Sequence, residues 1–546
     1  MSDYFLGLDC STQSLTGIIS DSTSIIYKGI INFDKELPHY NTTNGVIILD
    51  DEKVVHSSPI MWVEALELLL DKIQNHISIK NIKAISGSGQ QHGTVYLNNK
   101  FERALKALNP KETIITQLKG CFSRETSPIW MDSSTSRQCE EIRNTLGGLK
   151  ETIKITGSNT FERFSGPQIR KFFQENPEGY SLTSIIHLVS SFMASILLGE
   201  SAPIDHGDGA GMNLMNIKTK QWDKRALNAT APYLIQKLPP LTDSYEIIGK
   251  ISPFFIKKHG LNPNTLLIAW SGDNPNSLIG VGLIDKGKVA ISLGTSDTYF
   301  GYMKNLHLDL NGEGHVFGAP TGDYMSLICY KNGSLAREKI KEEFNLDWDK
   351  FSEILRKTTP GNNGKIMLPY FFPEIVPLVL EPKVYRFGLD EDDIEGHVKA
   401  IIEAQFLSMR LHSEWISEKP KEIYATGGAS ANINILQVAA DIFQTPIRQF
   451  DITDSAALGA ALRSLKSYYD FIKKGKNWNE IVDNFLKTQS SSEIIPNIKN
   501  RELYNEMLNL YKKCEDYILR NGENPEPTRK QFIEKYFSSE KKTFLE

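Results

Sequence analysis

The sequence predicts an α/β protein built from two duplicated lobes. A buried strand, a hydroxyl-rich turn and a second apolar strand occur near position 4 and again near position 289, and an internal duplication is the simplest explanation of that spacing. Apolar strands alternate with segments of helical periodicity along the chain. Glycine-rich turns follow several of these strands, which is where open α/β sheets bind ligands.

The composition fits a globular protein with two large cores, since 40% of the 546 residues are hydrophobic and 23% are charged. A formal net charge of −5 gives no basic surface for nucleic acid. The five cysteines include no CxxC pair, which argues against a zinc site and a disulfide framework and favours a reducing compartment.

The chain shows no targeting or membrane signal. Its N-terminus lacks a basic segment followed by an apolar one. Residues 181–199 are strongly apolar but contain five serines and a histidine, so they predict a core helix rather than a membrane span. We therefore expect a cytoplasmic protein that binds neither nucleic acid nor membrane.

The stretch 269–298, AWSGDNPNSLIGVGLIDKGKVAISLGTSDT, carries two half-sites. Residues 266–270 predict a buried strand, and the turn Ser271-Gly272 presents Asp273 at its carboxyl end. Residues 289–293 predict a second buried strand that leads into GTSDT at 294–298, a turn whose N–H and hydroxyl donors suit a phosphate. Each piece alone is also typical of an ordinary strand-to-helix loop.

The N-terminal stretch YFLGLDCSTQS at 4–14 repeats this arrangement and is followed by a second apolar strand over 15–19. Two lobes with a nucleotide between them follow from the repetition. The short polar connector DKGK at 285–288 precedes the second lobe's first strand, so we expect the hinge there. We predict a first lobe over 1–283, a hinge at 284–287 and a second lobe over 288–546.

In the first lobe, a strand over 82–85 leads to the turn SGSGQQHG at 86–93. Its three glycines let the backbone approach a small ligand, while Gln91 and His92 supply polar groups. A lone histidine is also often a satisfied core residue. The residues alone therefore leave both roles open for His92.

Three further acidic or basic positions of the first lobe have more than one interpretation. Asp132 ends a predicted short strand over 128–132 and either lines the cleft or caps a helix starting near Ser133, and we favour the cap. Arg163 lies among aromatic residues in FERFSG, where a surface ion pair is the ordinary role. The aspartates of the glycine-rich turn 205–213 are interpreted as turn formers.

In the second lobe, Trp348 lies in a charged amphipathic segment, where core packing is its expected role. An amphipathic helix over 398–416 and a strand over 422–425 lead to TGGASAN at 426–432. Adjacent glycines let a flat ring lie against bare backbone, and Asn432 can both donate to and accept from a purine edge. We interpret this turn as the adenosine site, although such turns are common. Residues 501–518 predict a closing helix packed on this lobe.

Nine sequence blocks resemble the FGGY carbohydrate kinases, which share the hexokinase and actin superfold. They run from Leu8 to about Leu462 in the family's order, and the match to the eukaryotic-type xylulokinases within the family is close. The resemblance implies a two-lobed hexokinase/actin-like (ribonuclease H-like) α/β fold with a cleft between duplicated domains. The blocks are LDCSTQS, SGSGQQHG, WMDSSTSRQ, ERFSGPQI, DGAGMNL, SGDNPNSL, SLGTSDT, KNGSLAREKI and ATGGASANINILQ.

The resemblance also implies the reaction, which is transfer of the γ-phosphoryl group of ATP to O5 of D-xylulose. Asp273 would be the general base, and Mg²⁺ would bridge the phosphates with Asp9 nearby. The implied sugar contacts are Gln91, His92, Arg163, Asp273 and Asn274. The implied nucleotide contacts are Ser11, Thr12, Gln13, Gly294, Thr295, Ser296, Trp348, Gly427, Gly428, Ala429 and Asn432.

Other functions compatible with the sequence fall into two groups. The nearest is another FGGY kinase acting on ribulose, glycerol or a sugar acid, against which the pair of Arg163 and His92 favours xylulose. An actin-like filament protein or a catalytically inactive sugar sensor would use the same superfold, but the presence of both Asp9 and Asp273 argues against the sensor. The expected partners are the sugar and ATP, and the chain is expected to be a monomer or homodimer.

Overall fold

The structure is a computed structural model that describes residues 3–49, 51–450, 454–486 and 490–538. It consists of two compact units, and each is made from separate stretches of the chain. The first unit comprises residues 1–285, 302–325 and 452–488, and the second comprises residues 286–301, 326–451 and 489–546. The predicted hinge at 284–287 and the predicted lobe boundaries stay predictions.

Both strands and helices are distributed over the two units, which confirms the predicted α/β class. The strands in chain order are β1 (Tyr4–Cys10), β2 (Ser14–Ser20), β3 (Ile25–Asn32), β4 (Ile47–Ile48), β5 (Val55–Ser57), β6 (Ile82–Gly89), β7 (Thr94–Leu97), β8 (Ser127–Pro128), β9 (Ile185–Leu188), β10 (Ile204–Asp205), β11 (Met215–Asn216), β12 (Gln221–Trp222), β13 (Leu241–Thr242), β14 (Ile247–Lys250), β15 (Leu266–Ile268), β16 (Ser271–Gly272), β17 (Lys288–Leu293), β18 (Asp297–Met303), β19 (His315–Gly318), β20 (Tyr324–Tyr330), β21 (Ile366–Pro369), β22 (Val384–Phe387), β23 (Glu422–Thr426), β24 (Ile447–Phe450) and β25 (Ser490–Ile494). The helices are α1 (Phe33–Glu36), α2 (Pro59–Gln74), α3 (Phe101–Lys106), α4 (Ile114–Leu118), α5 (Ser136–Thr145), α6 (Leu149–Thr156), α7 (Ser165–Glu175), α8 (Pro177–Leu182), α9 (Val189–Leu198), α10 (His206–Ala210), α11 (Lys224–Thr230), α12 (Pro253–His259), α13 (Asp273–Gly280), α14 (Ser334–Glu343), α15 (Trp348–Lys357), α16 (Ile394–His412), α17 (Ile433–Phe443), α18 (Ser455–Phe471), α19 (Trp478–Leu486), α20 (Arg501–Leu519) and α21 (Glu526–Phe537).

The main sheet of the first unit has the strand order β14-β15-β6-β1-β2-β3. Strand β1 is antiparallel to β2 and parallel to β6, and β15 is also parallel to β6. The short strand β16 continues the parallel pairing with the end of β6. The carboxyl ends of β1, β6 and β16 therefore lie at one edge of the sheet, where such folds bind ligands.

The second unit repeats this topology in its own sheet. Its strands lie in the order β25-β24-β23-β17-β18-β20. As in the first unit, the first long strand β17 is antiparallel to the strand after it, β18, and parallel to the strand on its other side, β23. The same strand order in both sheets is what the repeated pattern near positions 4 and 289 predicted.

Helices cover both faces of the first sheet. Alternate residues of β1 point to opposite faces, so Leu6 and Leu8 pack in the core formed with α2, whereas Phe5 packs in the core formed with α18. Helix α18 lies so close to β1 that a Cβ on Gly7 would be 2.1 Å from the carbonyl oxygen of Ala457. A side chain at position 7 would therefore displace the helix.

Helix α18 also packs tightly against α13, the helix that begins with Asp273. A Cβ on Gly280 would lie 1.9 Å from the carbonyl oxygen of Ser455, and a Cβ on Gly459 would lie 1.9 Å from that of Asn276. The two helix backbones are thus in direct contact. This packing fixes the position of α13 on the sheet.

Three element predictions were wrong in detail. Residues 181–199 are not one helix but contain strand β9 followed by α9. Ile185 and Ile186 of β9 pair with β7. The prediction failed because periodicity cannot distinguish a short apolar strand from a helix. The strand predicted over 82–85 continues to Gly89 because it pairs with β1 as far as Cys10. The predicted turn 294–298 is shorter, since β18 already begins at Asp297.

The predicted role of Asp132 as a helix cap is also wrong. Helix α5 begins only at Ser136, whereas the Asp132 carboxylate accepts hydrogen bonds from the backbone of Ser134 at 3.0 Å and of Val55 at 3.1 Å. Asp205 is a turn former as predicted, because its side chain caps α10 by accepting a hydrogen bond from Asp208 N at 2.9 Å.

The C-terminal part of the chain belongs to both units. Helix α20 packs against α16, α17 and β21 of the second unit, which confirms the predicted closing helix, whereas α18 and α19 belong to the first unit. Among the helices of the described residues, none has the length and apolar character needed to cross a membrane.

Candidate active site

Asp273 lies at the carboxyl edge of the first sheet, and neighbouring N–H groups hold its side chain in place. It is the first residue of α13 and directly follows β16, whose residues pair with the end of β6. Its Oδ1 accepts hydrogen bonds from Asn274 N at 2.9 Å, Asn274 Nδ2 at 3.1 Å and Gln91 N at 3.3 Å. These bonds orient the carboxylate, so its Oδ2 is the oxygen available for a proton.

The acidity of Asp273 suits proton transfer near neutral pH. Burial, together with the negative charge of Asp9, raises the pKa of Asp273 from 3.8 to about 7. A general base works best when its pKa lies near the working pH. The group is therefore partly ionised at pH 7 and can both accept and release a proton.

Asp9 lies buried near the end of β1. Its Oδ2 accepts a hydrogen bond from the Ser11 hydroxyl, whereas Oδ1 is buried and has no partner among the described residues. Burial raises the pKa of Asp9. An unpaired buried carboxylate oxygen is costly unless a ligand completes it.

The residues around Asp9 fit a magnesium ion that is bound mainly through phosphates. The described residues contain no cluster of three or more His, Cys, Asp or Glu side chains that could hold a metal by themselves. Mg²⁺ commonly keeps water ligands and binds through one or two carboxylates together with substrate phosphates. A single free carboxylate oxygen matches that mode.

His92 is a neutral hydrogen-bond acceptor held in a strained backbone position. Its φ is +71°, which costs free energy for a residue with a side chain. Its Nδ1 lies 2.9 Å from the carbonyl oxygen of Gly211, and its ring stacks on Phe164 with centroids 4.4 Å apart. Burial, and then the charge of Arg163, lowers the pKa of His92 to about 3. Because Nδ1–H donates to Gly211, Nε2 is left as an acceptor.

Gln91 and Asn274 form a side-chain bridge next to Asp273. Asn274 Nδ2 donates to Gln91 Oε1 at 2.8 Å as well as to Asp273 Oδ1. The Gln91 Nε2 is buried and has no partner among the described residues. The bridge therefore leaves an amide donor beside the Asp273 carboxylate.

The guanidinium of Arg163 is not in the surface ion pair that is its ordinary role. In the part of the chain that the structure describes, Arg163 has no carboxylate partner, and its guanidinium lies 5.7 Å from the ring centroid of Phe161. Its charge contributes to lowering the pKa of both His92 and the buried His315. Arg163 thus has free donors next to the His92 ring.

Sequence reasoning missed the aromatic residues that surround these groups. The ring of His315 lies 4.6 Å from Phe161, 5.4 Å from Phe164 and 5.8 Å from Phe317, measured between centroids. The only signal was a histidine within an apolar strand. The contacts join segments about 150 residues apart, which a pattern within one segment does not reveal.

The predicted first phosphate loop, Ser11-Thr12-Gln13, uses the hydroxyls of Ser11 and Thr12 in hydrogen bonds within the protein. The Ser11 hydroxyl donates to Asp9, and the Thr12 hydroxyl donates to Gln90 Oε1 at 3.3 Å while it accepts from Trp130 Nε1 at 2.9 Å. Gln13 is exposed. The hydroxyls of this loop therefore shape the turn, and Trp130 is a further loop contact that sequence reasoning missed.

The predicted second phosphate loop, Gly294-Thr295-Ser296, is anchored at its base and exposed at its tip. The Gly294 carbonyl accepts hydrogen bonds from Ser334 N and Oγ, both at 2.9 Å. Arg337 forms a buried two-pronged ion pair with Asp297 at 2.8 and 3.0 Å. Between these anchors Thr295 and Ser296 are exposed.

A cavity of about 700 Å³ in the second unit adjoins this loop. Trp348 lines it at the start of α15 and is 43% exposed, so the predicted core packing of Trp348 is wrong. Gly427 has φ +85°, and a Cβ there would lie 2.6 Å from the carbonyl oxygen of Leu293. A Cβ on Gly428 would meet nothing within 4 Å, so Gly428 and Ala429 present an open backbone face to the cavity.

The sequence predicts that Asn432 both donates to and accepts from a purine edge, and the acceptor part of that prediction is wrong. Its Oδ1 accepts hydrogen bonds from Asn434 N at 3.0 Å, Ser352 Oγ at 3.2 Å and Ile435 N at 3.4 Å. These bonds cap the start of α17, which needs an acceptor for its free N–H groups. Only the Nδ2 amino group of Asn432 is left for a ligand in the cavity.

Known proteins share both halves of this arrangement. Residues 125–280 match the N-terminal domain of the FGGY family of carbohydrate kinases, and residues 289–468 match its C-terminal domain. The xylulose kinase of Rattus norvegicus is 40% identical over 533 residues, which cover 95% of this chain and 98% of that protein. The chain belongs to the FGGY carbohydrate kinases. It is therefore an ATP-dependent carbohydrate kinase.

Two more comparisons place this kinase within the family and the fold. Xylulose kinase 2 of Arabidopsis thaliana is 45% identical over 486 residues, covering 84% of this kinase and 86% of the relative. The ligand-bound xylulose kinase from Lactobacillus acidophilus has a TM-score of 0.78 at 19% identity and covers 94% of this kinase and 98% of the solved chain. The solved structure shows a shared fold and confirms the predicted two-domain, actin-like architecture.

Proposed function

We propose that this kinase transfers the γ-phosphoryl group of ATP to the O5 hydroxyl of D-xylulose, with Asp273 as general base. The xylulose kinases among its relatives support the sugar. The observation that carries the mechanism is the Asp273 carboxylate, which is oriented through Oδ1 and has a pKa of about 7.

The chemical step needs one proton transfer and one displacement at phosphorus. The sugar oxygen attacks the γ-phosphorus and its proton passes to Asp273 Oδ2. The bond from the γ-phosphorus to the β–γ bridging oxygen breaks, and that oxygen leaves with the bonding electrons as part of ADP. Phosphoryl transfer depends mainly on positioning and charge neutralisation, so a fixed carboxylate near its pKa is a sufficient base.

The groups of the first unit that have unused hydrogen-bond donors or acceptors would bind the sugar. His92 Nε2 would accept a hydrogen bond from a sugar hydroxyl, and the free donors of Arg163 would meet hydroxyl or carbonyl oxygens. Gln91 Nε2 and Asn274 add amide groups beside Asp273. Both an acceptor and several donors are needed because each sugar hydroxyl can donate and accept.

Nucleotide binding is assigned to the cavity of the second unit. The open backbone at Gly428 and Ala429 and the exposed Trp348 would hold the adenine ring, with Gly427 providing the turn before them and Asn432 Nδ2 as a donor to a ring nitrogen. Within the second unit, the phosphates would lie at the turn Gly294-Thr295-Ser296. Asp9 would hold Mg²⁺, which supplies charge neutralisation on the phosphates when it is bound.

The nearest alternative is another sugar or polyol acceptor. The structural relatives also include a gluconate kinase and a glycerol kinase, and ribulose differs little from xylulose. Rates of ADP release with D-xylulose, D-ribulose, glycerol and gluconate decide between them. The highest kcat/KM with D-xylulose is expected, and a clear preference for another acceptor would overturn the sugar assignment.

The base assignment is tested by Asp273→Ala and by the isosteric Asp273→Asn. Positioned proton transfer contributes about 10²- to 10⁴-fold, so each variant should lose roughly that factor in kcat. Affinity for ATP, measured by calorimetry, should largely survive, because the nucleotide groups lie elsewhere. A folded variant within about tenfold of the parent rate would exclude Asp273 as the general base.

A further inference from the structure

Helix α18 carries an arginine whose charge is buried inside the first unit. The side chain of Arg463 is among the largest fully buried ones and is 1% exposed. Its guanidinium lies beneath the carboxyl edge of the main sheet, where it reaches strand ends rather than solvent. Position 463 is far along the chain from the residues that it contacts.

All hydrogen-bond partners of this guanidinium are neutral. Nη1 donates to Asn276 Oδ1 at 2.8 Å and to the Gly87 carbonyl at 3.4 Å. Nη2 donates to the carbonyl oxygens of Ser244 and Ala269. Among the described residues Arg463 forms no ion pair, and its Nε has no partner.

A buried cation that no carboxylate contacts directly is costly. Burial lowers the pKa of Arg463 to about 10, although the negative charge of Asp205 acts in the opposite direction. An apolar side chain here would leave the four acceptors of the guanidinium without a donor, which also costs free energy. A role in stability and a role in positioning must therefore be separated by measuring kcat per folded molecule.

Three partners of Arg463 lie on the segments that lead to Asp273 or begin with it. Ala269 follows β15 and Gly87 lies near the end of β6, the two strands that lead to the site. Asn276 lies in the first turn of α13, and its Nδ2 donates to the carbonyl of Gly272 at 2.9 Å. A chain of two hydrogen bonds thus runs from Arg463 through Asn276 to the residue before Asp273.

We propose that Arg463 is a positioning residue for Asp273. Its planar fork of donors fixes the carbonyl of Ala269 and the side chain of Asn276, and so holds the turn 269–276 and the carboxylate that it presents. The inference rests on the proposed role of Asp273 as general base. Arg463 touches no substrate and acts only through this turn.

The central test is Arg463→Lys, with Arg463→Met as the neutral partner. Lysine keeps the charge, but its three N–H donors lie on one nitrogen, so it cannot reproduce the planar guanidinium that reaches four acceptors. A shift of about 1 Å in a reacting group can cost roughly 10²-fold, so kcat should fall by about tenfold or more in both variants. The KM for ATP should not change.

A matched control separates positioning from helix stability. Leu465 lies on the same helix and is fully buried in its core, so Leu465→Ala should lower the melting temperature while kcat per folded molecule stays at the parent value. Arg463→Lys should instead lower kcat per folded molecule. A loss of kcat in proportion to lost stability in all variants would overturn the positioning role.

The route through Asn276 can be tested separately, and it also covers the case in which Arg463 variants fail to fold. Asn276→Ala should lower kcat without raising the KM for ATP, and combining it with Arg463→Lys should add little, because both break one connection. Full additivity, or a parent-like kcat for Asn276→Ala, would overturn the inference.

The two proposals fail in different ways. If Asp273→Asn keeps its activity, the base assignment fails and the inference about Arg463 falls with it. If Asp273→Asn is inactive while folded Arg463→Lys has the parent kcat, the base assignment stands and only the positioning role is overturned.

Discussion

Replacing Asp273 by asparagine should stabilise the protein while it removes the base. The folded protein raises the pKa of this carboxyl from 3.8 to about 7, and one pKa unit corresponds to about 1.4 kcal/mol. The ionised carboxylate therefore destabilises the folded state by about 4 kcal/mol as an upper value. Asparagine keeps an oxygen for the bonds from Gln91 N and Asn274 N but has no charge.

The sign of the pH dependence follows from proton binding. Between the unfolded and the folded pKa, the folded protein holds a proton that the unfolded chain has lost, so stability falls as the pH rises through this interval. The gain from Asp273→Asn should be about 4 kcal/mol above pH 8, about 2 kcal/mol at pH 5.5, and should vanish below about pH 4.

Denaturation of parent and variant, without nucleotide or metal, measures this difference at several pH values. In a plot of the parent's kcat/KM against pH, the fall toward acid pH, its acid limb, should report the same group and bend near pH 7. A variant that is less stable at pH 8.5, or a stability difference that does not change with pH, would refute the reasoning. So would an acid limb near pH 4.

Further expectations concern the sugar, the metal and the adenine site. His92→Ala should raise the KM for D-xylulose and leave the KM for ATP unchanged; an equal rise in both would contradict the assignment. Asp9→Asn should raise the Mg²⁺ concentration needed for half-maximal rate and, by removing a negative charge, move the acid limb to lower pH; an unchanged titration in both respects would exclude this role. Gly428→Ala should keep the parent melting temperature and raise the KM for ATP. Gly427→Ala, at a positive φ, should instead lower the free energy of unfolding by about 1–3 kcal/mol. Calorimetry compares the stability of the two variants, and equal losses would count against the open face at Gly428.

The sequence was informative where a side chain's surroundings are local. Asp273 follows an apolar strand and a glycine turn, so its place at the sheet edge could be predicted from neighbouring residues alone. The repeated strand-turn-strand pattern predicted two similar sheets in the same way. Both predictions depend on periodicity and turn chemistry, which are properties of short segments.

Contacts between distant segments could not be predicted in this way. The oxygen of Asn432 is used by a helix cap and by Ser352, which comes from another helix, so half of its expected recognition capacity is lost. Trp130 binds Thr12, and Arg463 binds Asn276, although no pattern within either segment indicates the other. Tertiary packing decides which polar atoms remain free for a ligand.

Helix α18 belongs to the first unit but follows a long stretch of the second unit in the chain. This order affects how the chain can fold during synthesis. The main sheet of the first unit is assembled from residues before 285, but the helix that covers one of its apolar faces follows only after residues 286–454. At about 5–20 residues per second, a ribosome needs on the order of 10–30 s to make that intervening stretch. During this time the nascent sheet exposes the apolar face that includes Phe5 and Ile18, so we expect chaperones to bind there and truncations before residue 455 to aggregate.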